Sequence, residues 1–202
     1  EMCIRDRTGV TLSDLNLGGG YGVRYTQEDE AIDIPARLAE LAAYLKEETE
    51  RLGLPMPRFL MEPGRSIVAD AGMTLYTVGS VKRIPGYKQY AAVDGGMTDN
   101  PRYALYQSHY TVYHAHKSGS LERFDVVGRC CESGDIIQPG VELPGDTCRG
   151  DILAVCTTGA YNYSMASNYN RLPRPAVVML TPDRIYEAVR RETFADLTAL
   201  DL

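Results

Sequence analysis

The first periodic pattern in the chain is a short apolar run that ends at a cluster of glycines. Residues 15–17 predict a strand, and the glycine-rich stretch 18–22 predicts an open loop, because glycine adopts backbone conformations closed to other residues. Leucines then recur at helical spacing through residues 33–52 and predict an amphipathic helix. Asp33 is the expected N-cap of this helix, and Gly53 follows its end.

A second short apolar run, residues 59–61, leads directly into the sequence EPGR at 62–65, which we interpret as a polar loop. The order strand, glycine loop, helix, strand, polar loop is typical of a parallel α/β arrangement. Two strands and one helix are too few to complete a parallel sheet that must be covered on both faces. Residues 1–65 are therefore predicted to be an α/β region belonging to a larger protein.

After Arg65 the pattern changes to short runs rich in Val, Tyr and Thr, separated by Gly, Pro and Asp. This pattern predicts an all-β region over residues 66–202, with a hairpin and a short closing helix at its C-terminal end. The predicted strands are residues 74–81, 89–93, 110–116 and 152–157, the hairpin strands are 176–180 and 185–189, and the helix is 193–202.

Composition places the chain among ordinary globular proteins. Its 202 residues are 44% hydrophobic and 24% charged, which suits one large domain or two small ones. The 21 basic and 27 acidic residues give a net charge of -6 with scattered basic residues, so we expect no nucleic-acid partner. No run approaches the roughly 18 apolar residues of a membrane span, and the first ten residues lack the apolar core of a signal peptide. We therefore expect a cytoplasmic protein without membrane association.

The histidine and cysteine positions argue against a metal site and a disulfide framework. His114 and His116 share one face of a predicted strand, but no third acidic or thiol ligand is close in sequence. We therefore expect no metal and interpret these histidines, with His109, as side chains on the strand surface. The cysteines are odd in number and fit no CxxC pattern, so we expect reduced thiols at positions 3, 130, 131, 148 and 156.

Two glycine-bearing loops follow the two predicted strands. The bare backbone N–H groups of Gly19 and Gly20 can approach a phosphate, although their spacing is not the GxGxxG of dinucleotide-binding proteins. EPGR at 62–65 follows the second strand, and neighbouring barrel strands would bring both loops to one mouth. The pair indicates a phosphate-bearing ligand. The alternatives are a flexible turn at the first loop and a surface turn with a local Glu–Arg ion pair at the second.

Two stretches of the β region carry further reactive or charged groups. Cys131 and Glu132 place a thiol beside a carboxylate in a predicted turn, and a buried, inert cysteine is the alternative. Arg102 and Tyr106 follow the turn at 94–96, where the alternative is a solvated arginine and a core tyrosine. Spacing alone does not decide between these possibilities.

Five ordered motifs together resemble the diaminopimelate decarboxylase family. The resemblance runs from about residue 15 to the C-terminus, whereas residues 1–10 do not fit it and are interpreted as non-native sequence. It implies a pyridoxal-phosphate enzyme with the alanine-racemase-like fold, a (β/α)8 barrel followed by a β domain. Residues 1–65 would then be the last part of the barrel, and residues 66–202 the C-terminal β domain with its closing helix. The motifs are LNLGGGYGVRY at 15–25, EPGR at 62–65, VDGGMTDNPRYALY at 93–106, CESGD at 131–135 and GAYNYSMASNYN at 159–170.

The resemblance implies which residues hold the cofactor, pyridoxal 5'-phosphate. Glu62 would hydrogen-bond the pyridine nitrogen and keep it protonated, so that the ring accepts the electrons released as carbon dioxide leaves. The phosphate would be held through backbone groups of the two glycine-bearing loops. The implied cofactor-binding set is Gly19, Gly20, Glu62, Pro63, Gly64, Arg65 and Tyr161.

The resemblance also implies the residues that act on the substrate, a small amino acid. Cys131 would be the general acid that protonates the carbanion after decarboxylation, a role that needs a thiol proton at neutral pH. Glu132 would bind the distal amino group of the substrate. In the family both residues reach the active site of the other subunit, so a homodimer with shared sites is implied. The implied substrate-binding set is Arg65, Arg102, Tyr106, Glu132 and Tyr161.

The lysine that forms the Schiff base with the cofactor has no counterpart in this chain. The four lysines, at 46, 82, 88 and 117, do not match its position, so we expect the chain alone to be inactive. The implied reaction is decarboxylation of meso-diaminopimelate to L-lysine. The alternatives are a related decarboxylase acting on ornithine, arginine or carboxynorspermidine, and a non-catalytic regulatory homologue. Glu132 favours a substrate with a distal amino-acid head, and retention of Cys131, Glu62 and Arg65 argues against a decayed enzyme.

Overall fold

The α/β region of this computed structural model, which describes residues 6–202, is a parallel strand pair joined by a helix. Strand β1 (Asp14–Asn16) pairs in parallel with strand β2 (Arg58–Leu60). Helix α1 (Ile34–Arg51) connects them, and the Asp33 carboxylate accepts a hydrogen bond from the backbone N–H of Ala36 at 3.0 Å. This bond satisfies one of the free N–H groups of the first turn. The predicted strand, helix, strand order is confirmed.

Helix α2 (Gly64–Val68) begins inside the EPGR sequence, so the prediction of a polar loop there was wrong in its second half. Pro63 occupies the N-cap position, where its missing N–H costs nothing. The Ser66 hydroxyl donates to the Pro63 carbonyl at 2.8 Å, and the Ala69 N–H donates to the Arg65 carbonyl at 3.0 Å. These local bonds stabilise a single helical turn, which hydrophobic periodicity cannot reveal in so short a segment.

The β region is built on one six-stranded sheet. Strands β4 and β6 pair in parallel and all other neighbouring strands are antiparallel, in the spatial order β5-β8-β3-β4-β6-β7. The prediction of an all-β region is confirmed. The strands are β3 (Met73–Ile84), β4 (Lys88–Val93), β5 (Val112–His114), β6 (Leu121–Val127), β7 (Ile136–Pro144) and β8 (Ile152–Cys156).

The sheet curls until its two edge strands meet. The backbone N–H of Tyr110, just before β5, donates to the side-chain oxygen of Gln138 in β7 at 2.8 Å. This curvature encloses a hydrophobic core, in which Phe124, Ile137 and Leu143 are completely buried. Burial of such side chains is the main driving force for folding, so the sheet is the stable part of the chain.

A β-bulge shapes the β6–β7 pair. Pro139 and Gly140 together lie opposite Asp125, because the register shifts between Phe124 and Val126. Gly140 has φ +67°, and its N–H donates to the Asp125 carboxylate at 2.8 Å, while Lys88 pairs with the same side chain at 2.6 Å. Proline and glycine inside β7 are thus tolerated at an irregular position.

The C-terminal segment is a hairpin followed by a short helix. Strands β9 (Val177–Leu180) and β10 (Ile185–Val189) pair antiparallel, which confirms the predicted hairpin. Helix α4 (Phe194–Leu197) begins with a capping box between Thr193 and Asp196. The prediction of a helix over 193–202 was too long: the helix ends at Leu197, and Asp201 pairs with Arg171 at 2.7 Å beyond that end. Across residues 6–202, none of the helices has the length and apolar character needed to span a bilayer.

The interpretation of all three histidines as surface side chains was wrong for His114. Its side chain is 2% exposed, and its Nε2 lies 3.1 Å from the Asp151 carboxylate. Its Nδ1 accepts a hydrogen bond from the backbone N–H of Lys117 at 2.9 Å, while His116 is exposed. Polar neighbours supplied by the loops after β5 and before β8 therefore allow a histidine to be buried. Within the described residues, no three His, Cys, Asp or Glu side chains are placed to hold a metal ion.

All four cysteines within the described residues are unpaired. Cys131 and Cys148 are exposed, whereas Cys130 and Cys156 are half-buried. Cys3, and with it the first half of the segment interpreted as non-native, lies outside the described residues.

Candidate active site

The chain that leaves helix α2 meets the residues after β8 through backbone contacts at Gly159. The N–H of Gly159 donates to the Ala69 carbonyl at 2.9 Å, and the N–H of Thr158 donates to the Gly72 carbonyl at 2.9 Å. A Cβ at position 159 would overlap the Val68 carbonyl oxygen, so only glycine fits. This close approach places the end of α2 beside the residues that follow β8.

Two guanidinium groups lie close to the ring of Tyr161. The Cζ atom of Arg65 is 5.9 Å from the ring centroid and that of Arg102 is 5.6 Å from it. Arg102 also lies 5.3 Å from the ring centroid of Tyr106. These distances are typical of cation–π interactions. The structure therefore brings together four of the five residues predicted to bind substrate.

Arg102 is buried and Arg65 is half-buried, and both are incompletely paired. Arg102 is 7% exposed and Tyr106 is 62% exposed, so the alternative of a solvated arginine and a core tyrosine was wrong. The Nε atoms of Arg65 and Arg102 are buried and have no hydrogen-bond partner within residues 6–202. Buried, unpaired guanidinium N–H groups are costly unless an acceptor completes them. The pair is thus suited to an anionic ligand.

The loops after β1 and β2 are joined by hydrogen bonds. The Glu62 carboxylate accepts from the side-chain amide of Asn16 at 2.8 Å, and the Glu62 N–H donates to the Gly18 carbonyl at 2.8 Å. Asn16 is a site residue that sequence reasoning missed, and its signal was a lone polar side chain inside an apolar run. Among the described residues Glu62 forms no ion pair with Arg65, which excludes the local pair considered above.

The glycine loop has a backbone that only glycine permits. A Cβ at Gly19 would overlap the carbonyl oxygen of Glu62, and Gly20 has φ +88°. The N–H groups of Gly19 and Gly20 donate to no acceptor in the part of the chain that the structure describes. Free, closely spaced amides beside glycine are the usual donors to a phosphate.

Cys131 and Glu132 lie on a separate exposed loop between β6 and β7. The N–H of Cys131 donates to the side chain of Asn170 at 2.7 Å, and the Tyr169 hydroxyl donates to the Glu132 carboxylate at 3.3 Å. The N–H of Gly134 is the main cause that holds the pKa of Glu132 below its usual value, and the Ser133 and Tyr169 hydroxyls add to it. Glu132 is therefore an anion at neutral pH.

Arg65, Arg102 and Tyr161 form what we call the arginine cluster. The structure separates Cys131 and Glu132 from this cluster. Within residues 6–202, neither forms a hydrogen bond or ion pair with Arg65, Arg102 or Tyr161. The neighbouring Cys130 is half-buried, and burial, together with Asp135, raises the pKa of its thiol. The two adjacent cysteines are thus in different environments, with the thiol of Cys131 open to a reaction partner.

Sequence reasoning missed several residues of the 159–170 motif that support the site. Tyr169 and Asn170 contact the Cys131 loop, as described above. The Tyr110 hydroxyl donates to the side chain of Asn162 at 3.4 Å, and burial raises the pKa of that hydroxyl against the opposing effect of Arg102. The density of Asn and Tyr in this motif was the available signal.

Comparison with known proteins identifies the relatives of this chain. A family model for the "Pyridoxal-dependent decarboxylase, C-terminal sheet domain" matches residues 13–159. The chain is 48% identical to diaminopimelate decarboxylase of Bacillus subtilis over 200 residues, which is 98% of this chain and 45% of that protein. The chain thus spans a little under half the length of this curated relative.

Solved structures give the same result. The crystal structure of diaminopimelate decarboxylase from M. jannaschii in co-complex with L-lysine superposes with a TM-score of 0.86 at 32% identity, covering 98% of this chain and 45% of that one. A lysine/ornithine decarboxylase from Vibrio vulnificus complexed with cadaverine gives a TM-score of 0.71 at 26% identity, covering 84% of this chain and 44% of that one. The predicted fold class, the C-terminal part of a barrel followed by a β domain, is confirmed. The chain belongs to the family of pyridoxal-dependent decarboxylases.

Proposed function

We propose that this chain is the C-terminal portion of a pyridoxal-phosphate-dependent decarboxylase that converts meso-diaminopimelate to L-lysine. The observation that carries the proposal is the pair of guanidinium groups next to the Tyr161 ring, each with a buried, unpaired Nε atom. The names of the relatives support the substrate. Because the chain spans less than half of their length, the activity belongs to a longer enzyme that includes this chain.

The residues of the α/β region fit pyridoxal 5'-phosphate. The free N–H groups of Gly19 and Gly20 would hold its phosphate, together with the backbone of Pro63-Gly64-Arg65. Glu62, held by Asn16, would accept a hydrogen bond from the protonated pyridine nitrogen. When bound, the cofactor supplies an electron sink for decarboxylation. Tyr161 would lie beside the cofactor and the substrate.

The arginine cluster, together with Cys131 and Glu132, fits an amino-acid substrate with a charged distal end. Arg65 and Arg102, with the exposed hydroxyl of Tyr106, would bind a substrate carboxylate, because guanidinium groups pair with carboxylates through two parallel hydrogen bonds. Glu132 would pair with the distal ammonium group. Cys131 would deliver a proton from its thiol to the substrate carbon that has lost carbon dioxide.

The separation of the two residue groups supports a shared site in a homodimer. Cys131 and Glu132 face solvent on one chain and have no contact with the arginine cluster of that chain. A second protomer would bring its own copies of both residues to the cluster. Each site would then need two chains.

The test is carbon dioxide release by the full-length enzyme with meso-diaminopimelate, ornithine, arginine and lysine as separate substrates. We expect meso-diaminopimelate to be preferred. Glu132→Gln keeps the shape of the side chain and removes its charge, so catalytic efficiency should fall about tenfold or more. Glu142→Gln, an exposed position in β7, is the matched control and should change little. A preference for ornithine, arginine or lysine would contradict the substrate assignment.

Mixing protomers tests the shared site. One variant carries Glu132→Gln and the other lacks the Schiff-base lysine of the first half of the enzyme. Some mixed dimers would contain one site with every required residue, so the mixture should regain activity that neither variant has alone. Failure of every mixture to regain activity would contradict the shared site.

A further inference from the structure

Asp135 lies where two loops of the candidate site meet. One loop carries Cys131 and Glu132, and the other, residues 94–101, leads into the short helix α3 (Arg102–Tyr106). The Asp135 carboxylate accepts from the Met97 N–H at 2.6 Å with one oxygen and from the Cys130 N–H at 2.6 Å with the other. A single side chain thus holds both loops.

The surroundings of this carboxylate are built to receive it. Asp135 is 4% exposed, and within the described residues it forms no ion pair. A Cβ at Gly96 would come within 2.6 Å of the carboxylate, and a Cβ at Gly128 would overlap it. Two glycines therefore leave the space that the side chain fills. A buried carboxylate is stabilised when N–H donors occupy its oxygens, which is the case here.

Few other contacts join the two loops. The N–H of Arg129 donates to the Gly95 carbonyl at 3.1 Å, which links their backbones once. The two charge-assisted bonds of Asp135 are shorter and lie closer to Cys131. The Cys130 thiol also contacts Thr98 of the other loop. Without Asp135, the loop that carries Cys131 and Glu132 would keep this contact and the bond at Arg129, and would lose the backbone bond at Cys130.

We propose that Asp135 is a positioning residue that fixes the loop of Cys131 and Glu132 relative to the helix of Arg102. This inference rests on the proposed function. Since Cys131 and Glu132 would serve the site of the partner protomer and Arg102 the site of its own, the Asp135 carboxylate joins elements of the two active sites of one dimer. A change at this carboxylate would therefore affect both sites.

The test replaces Asp135 by Asn in the full-length enzyme. The Asn side chain presents an NH2 group to one of the two backbone N–H donors, so at least one bond is lost. Misplacement of a reacting group by about 1 Å can cost about a hundredfold, so we expect kcat to fall about 10- to 100-fold, and KM to rise because Glu132 and Arg102 are displaced. Asp125→Asn is the matched control, since Asp125 is also buried and accepts a backbone N–H. It should leave kcat within about threefold.

The alkylation rate of Cys130 is a second measurement, and it does not depend on enzyme activity. Release of the loop would expose the half-buried Cys130, so its alkylation by iodoacetamide, resolved from Cys131 by mass spectrometry, should accelerate about tenfold or more in Asp135→Asn only. Equal effects of the Asp135 and Asp125 variants on kcat and alkylation, or no effect of either, would overturn the proposal. If the unaltered enzyme releases no carbon dioxide, the proposed function fails, while the alkylation rates still decide the role of Asp135.

Hydrogen exchange of the unaltered protein keeps the proposal testable if Asp135→Asn does not fold. The amides of Met97 and Cys130 donate to the same carboxylate, so both should be protected and to a similar degree. An unprotected amide at either position would overturn the proposal.

Discussion

The α/β region and the sheet region supply residues to the same candidate site but hold them by different means. The core of the sheet region consists of fully buried side chains such as Phe124 and Leu153. In the α/β region, helices α1 and α2 contain no buried residue, and apolar side chains such as Ile67 are exposed. Local capping and backbone bonds define the α/β region, whereas hydrophobic burial defines the sheet region. Regular structure can therefore form where a core is not complete.

The two regions also supply different chemical groups to the candidate site. The α/β region contributes the backbone amides of Gly19 and Gly20, the Glu62 carboxylate held by Asn16, and the Arg65 guanidinium next to Tyr161. The sheet region contributes charged and reactive side chains, including Arg102 and Cys131. Side chains need a rigid support for their rotamers, and a packed sheet provides it.

The largest expected effect is on the free energy of unfolding, and one variant in each region tests whether only the sheet region has a complete hydrophobic core. Phe124→Ala removes a completely buried ring and should lower the free energy of unfolding by about 3–5 kcal/mol. Leu45→Ala in the half-buried face of α1 should lower it by about 1 kcal/mol. Urea unfolding followed by circular dichroism measures both. Similar losses would show that the α/β region has a core of its own.

Variants of the two adjacent cysteines test whether the sheet region supplies the proposed general acid. In the full-length enzyme, Cys131→Ala should reduce kcat about a hundredfold, since it removes the proposed general acid. Cys130→Ala should have a mild effect, because burial keeps that thiol away from a reaction partner. Steady-state carbon dioxide release measures both variants. Equal losses would leave Cys131 without the proposed role.

One glycine variant in each region tests whether backbone groups of the α/β region bind the cofactor. Gly19→Ala places a Cβ against the Glu62 carbonyl oxygen, and such overpacking costs about 1–3 kcal/mol. Affinity of the full-length enzyme for pyridoxal 5'-phosphate should therefore fall about tenfold or more, as measured by absorbance titration. Gly119→Ala is the control in the sheet region, because its Cβ would meet nothing within 4 Å. Unchanged affinity in Gly19→Ala would argue against phosphate binding by this loop.

The smallest expected effect concerns the polar pair that closes the base of the C-terminal hairpin. Arg174 pairs with Glu192 at 2.6 Å, and this hydrogen-bonded pairing lowers the pKa of Glu192 from 4.5 to about 2. A lowered pKa means that the stabilisation is present above pH 4.5 and is lost as the pH falls toward 2. The NMR shift of the Arg174 amide, which donates to Glu192, should titrate with a midpoint near 2. The titration should vanish in Glu192→Gln, and a midpoint near 4.5 would contradict the pairing.

Local sequence signals predicted the elements that depend on local forces. Residues 33–52 contain an N-cap and a leucine stripe and are followed by Gly53, and helix α1 begins and ends within one residue of that range. The end of the closing helix was harder to predict, because residues 198–202 contain neither glycine nor proline to mark an end at Leu197.

Other features depended on contacts between distant segments. Strand β7 contains Pro139 and Gly140, which disfavour a strand, and only the contact with Asp125 in β6 explains the bulge that accommodates them. His114 has no buried pattern around it in the sequence, yet Asp151 lies next to it in the fold. Motif resemblance identified the residues around Tyr161, whereas the contacts of Asn16 and Asp135 required coordinates.

The junction at Gly159 has a consequence for exchanging parts between relatives. The bonds from Gly159 to Ala69 and from Thr158 to Gly72 join backbone atoms, so they do not depend on which side chains surround them. A recombinant enzyme that takes its barrel from one decarboxylase and its sheet from another can keep this joint unchanged, provided that glycine is retained at position 159. With crossovers at residues 69–72, we expect the glycine loop to keep its position relative to Arg102, and the proposed function predicts that substrate preference follows the sheet region, which carries Glu132.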